Sequence, residues 1–452
     1  MNMRETTKSL LTLPWALSMF GLQQASNLLA PTRDGDRLTN VGQAFDAVTN
    51  AARRDFQTWA KQSYEFGNNV QQVLVDVMLL KPPKFESSKA MRMAAEMQDS
   101  RIFQLMMKYG MPPVGWLGSK VVAGKDSDAV STEFSNKLGV IEYVTNTNAM
   151  LGIKAGEAYD FATLTAKAGA LETFPRLWVV EGIGNYLGDR AVARDGDRVS
   201  GLLNGPDTAQ LPLWSMTMLH AGIGMSFAKH VLEPLSAKSS PEELRSAVTR
   251  FLALCRASSR PGYAGAAIES LGLAARTLYP DVLYALDPHV ADIAPEAHGY
   301  FWHGAGRAMY FEAANWMPWL NAPWRAVREV VDAPHDVARR NLLAGLAWAL
   351  TVVNMRHPTV MEAFLRHHGT LATEDDAFTN GVVSALTMRY DTTRDDARIR
   401  PFIHHEPAGD QDLASRWRVL VGQPCEDAIE RGYPRLCAEG RLEQVFHYRP
   451  VT

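Results

Sequence analysis

Cysteine is nearly absent: Cys255, Cys425 and Cys437 are the three in 452 residues. Their spacing builds no metal cluster, and a sparse, odd set suits a reducing compartment, so the cytoplasm is the expected location. Strong charge is missing too. A formal net charge of −3 and the lack of a Lys/Arg stripe at helical spacing argue against a general nucleic-acid binder. The longest apolar run in residues 286–405, Leu342 to Val353, falls short of the roughly 20 residues a bilayer-spanning helix needs. There is no Gly-x-Ser-x-Gly elbow for a serine nucleophile, no phosphate loop and no dinucleotide fingerprint. No His-Glu-x-x-His or Glu-x-x-His spacing offers a metal, and no motif names a cofactor. Alternation with period two never persists, which leaves strands out.

What the chain has in quantity is helical pattern. At 46% hydrophobic and 21% charged residues it reads as globular. Residues 10–20 follow Arg4 and Lys8 in the manner of a signal peptide, yet Pro14 interrupts the run and no small-x-small cleavage site precedes Gln23. A docked or interfacial amphipathic segment is the expectation there, with a helix from Pro14 to Leu28. Phe45, Val48, Ala52, Phe56, Trp59, Phe66, Val70, Val73 and Val77 predict a long one-striped helix to Leu80, ended by Lys81-Pro82-Pro83. In texture residues 14–80 resemble phasins, the helical proteins that coat polyester granules. Residues 91–109 read as a Met-rich helix and residues 126–138 as a polar connection.

The chain beyond residue 165 contains a repeat. Glu181-Gly182-Ile183-Gly184 is answered by His303-Gly304-Ala305-Gly306, and His220-Ala221-Gly222-Ile223-Gly224 by Leu343-Ala344-Gly345-Leu346-Ala347. A weaker match sets Ser270 against Ser384. Two diverged units of roughly 115 residues are expected. The Gly-x-Gly pairs suit close helix packing, and the polar residues beside them are expensive if buried without partners. Ser240-Pro241-Glu242-Glu243 predicts a helix start with a capping box. Breaks are expected at Gly205-Pro206, Ser239-Ser240, Pro261-Gly262, Pro280, Pro288 and Pro323. The predicted organisation is all-α: amphipathic helices over 1–84, a connecting region over 85–165, repeats over 166–285 and 286–405, and a tail over 406–452.

In order and spacing, Glu181-Gly182, His220-Ala221-Gly222-Ile223-Gly224, His303-Gly304-Ala305-Gly306-Arg307-Ala308 and Gly345-Leu346-Ala347-Trp348 resemble a bacterial family of enediyne biosynthesis proteins. The resemblance covers roughly residues 165–400 and departs from the family pattern around Tyr263–Glu269. It implies an auxiliary role in making a polyene- or polyketide-like metabolite and carries no assigned activity.

Glu181, His220 and His303 are a carboxylate and two imidazoles, suited to acid–base work in an apolar cleft. The same three would serve as the ligands of a facial-triad metal site, if a metal is bound. Arg307, one helical turn past His303, is placed to hold an anionic group such as a carboxylate or carrier phosphate. Asn185, Glu269 and Trp348, within the matched segments, complete the expected substrate-binding set. The adjacent pairs His367-His368 and His404-His405 read as exposed turn residues. Asp375-Asp376, Asn380 and Ser384 echo the magnesium motifs of terpene cyclases, but the echo fails because Met388 stands at the last acidic position. The expected function is conversion or binding of a lipophilic polyketide- or polyene-like small molecule, free or carrier-bound, between the repeats, by lyase, isomerase or cyclase chemistry. The alternatives are a non-catalytic protein on a lipid or granule surface, in contact through residues 10–80, and a non-haem metal oxygenase.

Overall fold

The computed structural model describes residues 126–153, 159–311 and 324–450. The expectations for residues 1–125, including the helix to Leu80 and the phasin-like texture, lie outside them, as does the break at Pro323. Among the described residues every regular element is helical, so the chain is all-α. It divides into two compact units, residues 1–135 with 316–322 and residues 136–315 with 323–452. The second unit holds both halves of the motif match and is the one described below.

Residues 126–138 are not a polar connection. They belong to α1 (Ser127–Thr145), in which Val130, Phe134 and Lys137 step by four and three along a buried face. The sequence hides this because one member of the face is a lysine, whose stem is buried and whose amine lies 3.9 Å above the Tyr310 ring.

The second unit continues with α2 (Phe161–Gly169), α3 (Thr173–Asp195), α4 (Leu213–Leu232), α5 (Pro241–Ser258), α6 (Ala264–Ile268) and α7 (Ser270–Leu278). After these come α8 (Leu283–Ile293), α9 (Pro295–Tyr310), α10 (Trp324–Val331), α11 (Asp336–Asn354), α12 (Pro358–Glu374) and α13 (Ala377–Thr392). Helices α3, α4, α7, α9, α11 and α13 form an inner layer in chain order, each packed on the next. They are buried on almost every side, as in residues 215–224 of α4 and 341–354 of α11, which is what helices apolar all round require. Helix α5 is an outer element with one apolar stripe, Leu244, Ala247, Val248, Phe251 and Cys255. It opens with the predicted capping box, Ser240 Oγ accepting from Glu243 N–H and the Glu243 carboxylate accepting from Ser240 N–H at 2.7 Å.

Glycine sets the spacing of the inner layer. A methyl on Gly222 would meet the Glu181 carbonyl oxygen, and one on Gly184 the Leu219 carbonyl oxygen. Gly304 and Gly272 repeat this reciprocal contact between α9 and the α6–α7 segment, and Gly306 and Gly345 repeat it between α9 and α11. Backbone therefore lies on backbone at successive interfaces, which only a residue without a side chain allows. The layer also curves back on itself. Thr217 of α4 donates to Asp391 of α13 at 2.9 Å, and Arg307 of α9 reaches Glu181 of α3.

Two local expectations are corrected. Pro288 does not break a helix but sits inside α8. His367 and His368 are not turn residues: they lie within α12, where His368 adopts φ −123° and kinks the helix. Of the second pair, His404 is exposed, while His405 Nε2 lies 2.5 Å from Glu362. The tail runs through Gln411–Trp417, Gln423–Asp427 and Tyr433–Glu439, joined by π-turns at Arg418–Gly422 and Ala428–Gly432. Pro424 and Pro434 each come two residues after the end of a π-turn, and the wider turn gives room to a ring that would clash in a tight α-helix. The short helix Leu442–Phe446 then packs on α6, α9 and α13 and turns Phe446 inward.

Candidate functional site

The middle of the inner layer is charged. Glu269, at the junction of α6 and α7, is fully buried and accepts from two residues of α9. Arg307 Nη1 donates to its Oε2 at 2.7 Å, and His303 Nδ1 lies 3.0 Å from its Oε1. The other side of Arg307 belongs to α3, where Nη2 donates to Glu181 Oε1 at 3.3 Å. Trp348 of α11 covers the guanidinium at 4.4 Å and meets the His303 ring edge to face, and the Phe446 ring lies tilted against Trp348 at 5.7 Å. These positions follow from the sequence in a simple way: His303 and Arg307 are one turn apart on α9, so both point at the same neighbour.

The electrostatics follow from burial. Desolvation raises the Glu181 carboxyl above its ordinary range despite the pull of Arg307. Desolvation lowers the His303 imidazole in spite of its bond to Glu269, so the ring is neutral. Burial opposes the charge on Arg307, but Glu269 and Glu181 outweigh it and hold the guanidinium above its usual value. A neutral His303 that donates from Nδ1 to a carboxylate carries a lone pair on Nε2, and that atom is buried with no hydrogen-bond partner among the described residues. The arrangement is a fixed base, a carboxyl inclined to hold its proton, and a cation between two carboxylates.

Glu181, Glu269, His303, Arg307 and Trp348 are thus brought together, and two other expected residues are not. His220 is buried elsewhere with both nitrogens committed, Nδ1 at 2.6 Å from the Met216 carbonyl oxygen and Nε2 accepting from Arg260 N–H at 3.0 Å. It has no free atom for a metal or a proton transfer, and burial pushes its pKa down to about 3. The Glu181–His220–His303 metal set is therefore not assembled. Asn185 accepts from Ser226 at the α3–α4 interface, through its backbone oxygen at 2.7 Å and its side chain at 3.3 Å. Arg307, expected to receive an anionic substrate group, is already paired with two carboxylates.

A cavity of 610 Å³ opens where α3 and α4 begin and α13 ends. None of the seven expected residues lines it. Its polar wall is Asp391, which accepts from Tyr433 Oη at 2.9 Å, while Arg394 donates to that same phenol oxygen at 2.6 Å. Burial raises the Asp391 carboxyl, and burial with the nearby Asp391 pushes Tyr263 up to about 12. His220 stacks on Tyr263 at 5.2 Å, so it backs the cavity wall rather than facing the cavity. No local pattern announces this site, because Asp391 and Tyr433 come from separate stretches of chain. The chain matches no family model, no curated protein and no solved structure.

Proposed function

We propose that the chain takes part in natural-product biosynthesis, binding a lipophilic polyketide- or polyene-like molecule and converting it by proton transfer. One observation carries the reading: the buried Nε2 of His303, without a hydrogen-bond partner among the described residues and oriented through Nδ1 by Glu269. A neutral imidazole aimed into an apolar surround is a competent general base, and a carboxyl favoured in its protonated form is its natural complement. In this scheme His303 takes a proton from an activated C–H and Glu181 returns one further along the conjugated chain. The substrate is isomerised with no electron acceptor, and the imidazolium then gives up its proton to restore the carboxyl.

Trp348 and Phe446 supply apolar walls beside His303 for such a substrate. The resemblance to enediyne biosynthesis proteins points to the same substrate class, and the sparse cysteines to work inside the cytoplasm. The granule-surface alternative rests on residues 1–84, which lie outside the described residues.

The test uses purified full-length chain, Glu181→Gln and His303→Gln. Binding is followed with a fluorescent conjugated-polyene fatty acid, and co-purifying lipophilic molecules and their isomers by mass spectrometry. Both variants should bind the probe and lose conversion while melting within a few degrees of the parent. Full conversion by both variants, with melting lowered by several degrees, would mark the residues as structural and overturn the proposal.

A further inference from the structure

Away from the buried charges, three side chains able to ligate a metal converge where α8, α9 and the start of α11 meet. Asp287 lies in α8, His298 in α9, and His335 is the residue that caps α11. His298 Nε2 is 2.6 Å from Asp287 Oδ1, and His335 Nε2 is 3.1 Å from Oδ2. All three ligand atoms lie within 4.8 Å of one another. We propose that Asp287, His298 and His335 bind one borderline divalent transition-metal ion of the zinc class, independently of the function proposed above.

Three arguments support the site. Two imidazoles and one carboxylate form the mixed nitrogen and oxygen set that such ions take in three-ligand sites with a position left open. The carboxylate is also held from behind. Trp302, one turn past His298 on α9, donates its indole N–H to Asp287 Oδ1 at 2.6 Å, the kind of outer hydrogen bond that fixes a ligating oxygen. Finally, the side chains are 14%, 17% and 34% exposed for His298, Asp287 and His335, so an ion has a way in.

His335 also accepts from Ala338 N–H through Nδ1 at 3.1 Å, which places its ring proton on Nε2 in the metal-free chain. Ligation through Nε2 moves that proton to Nδ1 and gives up the capping bond. One cap is a small loss beside two imidazoles and a carboxylate on a divalent ion.

The experiment titrates metal-free full-length chain with Zn²⁺ by calorimetry and with Co²⁺ by visible absorption, and records melting with and without Zn²⁺. His298→Ala removes a ligand, His335→Asn removes a ligand while keeping a good capping residue, and His404→Ala is an exposed control. The parent and the His404→Ala chain should bind one ion per chain, show a Co²⁺ ligand-field band and melt higher with Zn²⁺. The other two variants, with unchanged circular dichroism, should lose more than about tenfold in affinity together with the band. Absence of a band in the parent at millimolar Co²⁺, or a band that survives both His298→Ala and His335→Asn, overturns the site.

Discussion

Arg307 lies 3.3 Å from Glu181 across 126 residues of chain, and both side chains are buried. With Glu269 on its other side, the guanidinium is the one cation in a group that holds two carboxylates and a neutral imidazole. Its removal therefore harms the fold more than removal of either acid. Arg307→Ala leaves Glu269 buried without its counter-charge, and a loss of about 3–5 kcal/mol is expected, read as a lower denaturant midpoint.

Glu181→Gln behaves in the opposite way. Desolvation raises the Glu181 carboxyl above its ordinary 4.5, so its contribution to stability is full below that pH and is lost as pH rises through the raised value. Glutamine imitates the protonated acid and still accepts from Arg307. At neutral pH the variant should be as stable as the parent or more so, with a flatter stability profile above pH 4.5. A substantial loss of stability at pH 7 would show that the ionised carboxylate supports the fold.

How far this was readable in the sequence depends on which residues are asked about. The Gly-x-Gly spacing marks the inner helices because glycine has one clear use between buried helices, and the capping box at Ser240 and Glu243 is wholly local. His303 and Arg307 share a turn, so their common target was foreseeable. That the target is Glu269 was not, since it needs the α6–α7 junction to fall opposite α9. His220, like Glu181, stands beside a Gly-x-Gly pair, yet its partners, Met216 and Arg260, are ordinary backbone groups that no side-chain motif betrays. Asp287 and His335 stand 48 residues apart and meet only in three dimensions.

His220 leads to an acid-side prediction. Burial lowers its pKa from 6.5 to about 3, so its contribution is full above pH 6.5 and is lost as pH falls toward 3. Below pH 6.5 the unfolded chain takes up a proton that the folded chain refuses, a loss of about 1.4 kcal/mol per pH unit from this one group. His303, also lowered by burial, acts in the same direction. His220→Phe should be less stable at pH 7 by about 1–3 kcal/mol, because Arg260 N–H loses its acceptor, and should lose less on acidification. Equal slopes for variant and parent, in denaturant melts between pH 7 and 4.5, would rule out this origin.

The glycine contacts give the sharpest structural contrast. A methyl at Gly222 runs into the Glu181 carbonyl oxygen and the Asn185 amide nitrogen, both backbone atoms of α3 that cannot turn aside. Gly222→Ala must therefore push α3 and α4 apart, and about 3 kcal/mol or more of destabilisation is expected, at the upper end for an overpacked core. Gly432 is the counterpart. It has helical backbone angles, φ −67° and ψ −54°, and the nearest atom to a new methyl is the Ala428 side chain at 3.9 Å. There the smaller unfolded-state freedom of alanine decides the sign, and Gly432→Ala should stabilise by about 0.5–1 kcal/mol. Because Glu181 takes its place from the α3 backbone at this contact, Gly222→Ala should also weaken the Arg307–Glu181 bond. In that variant a further Glu181→Gln change should alter stability differently than in the parent, by roughly 0.5 kcal/mol or more in a double-mutant cycle. Strict additivity would mean that the α3–α4 contact and the buried charges are independent, and that the glycines serve packing alone.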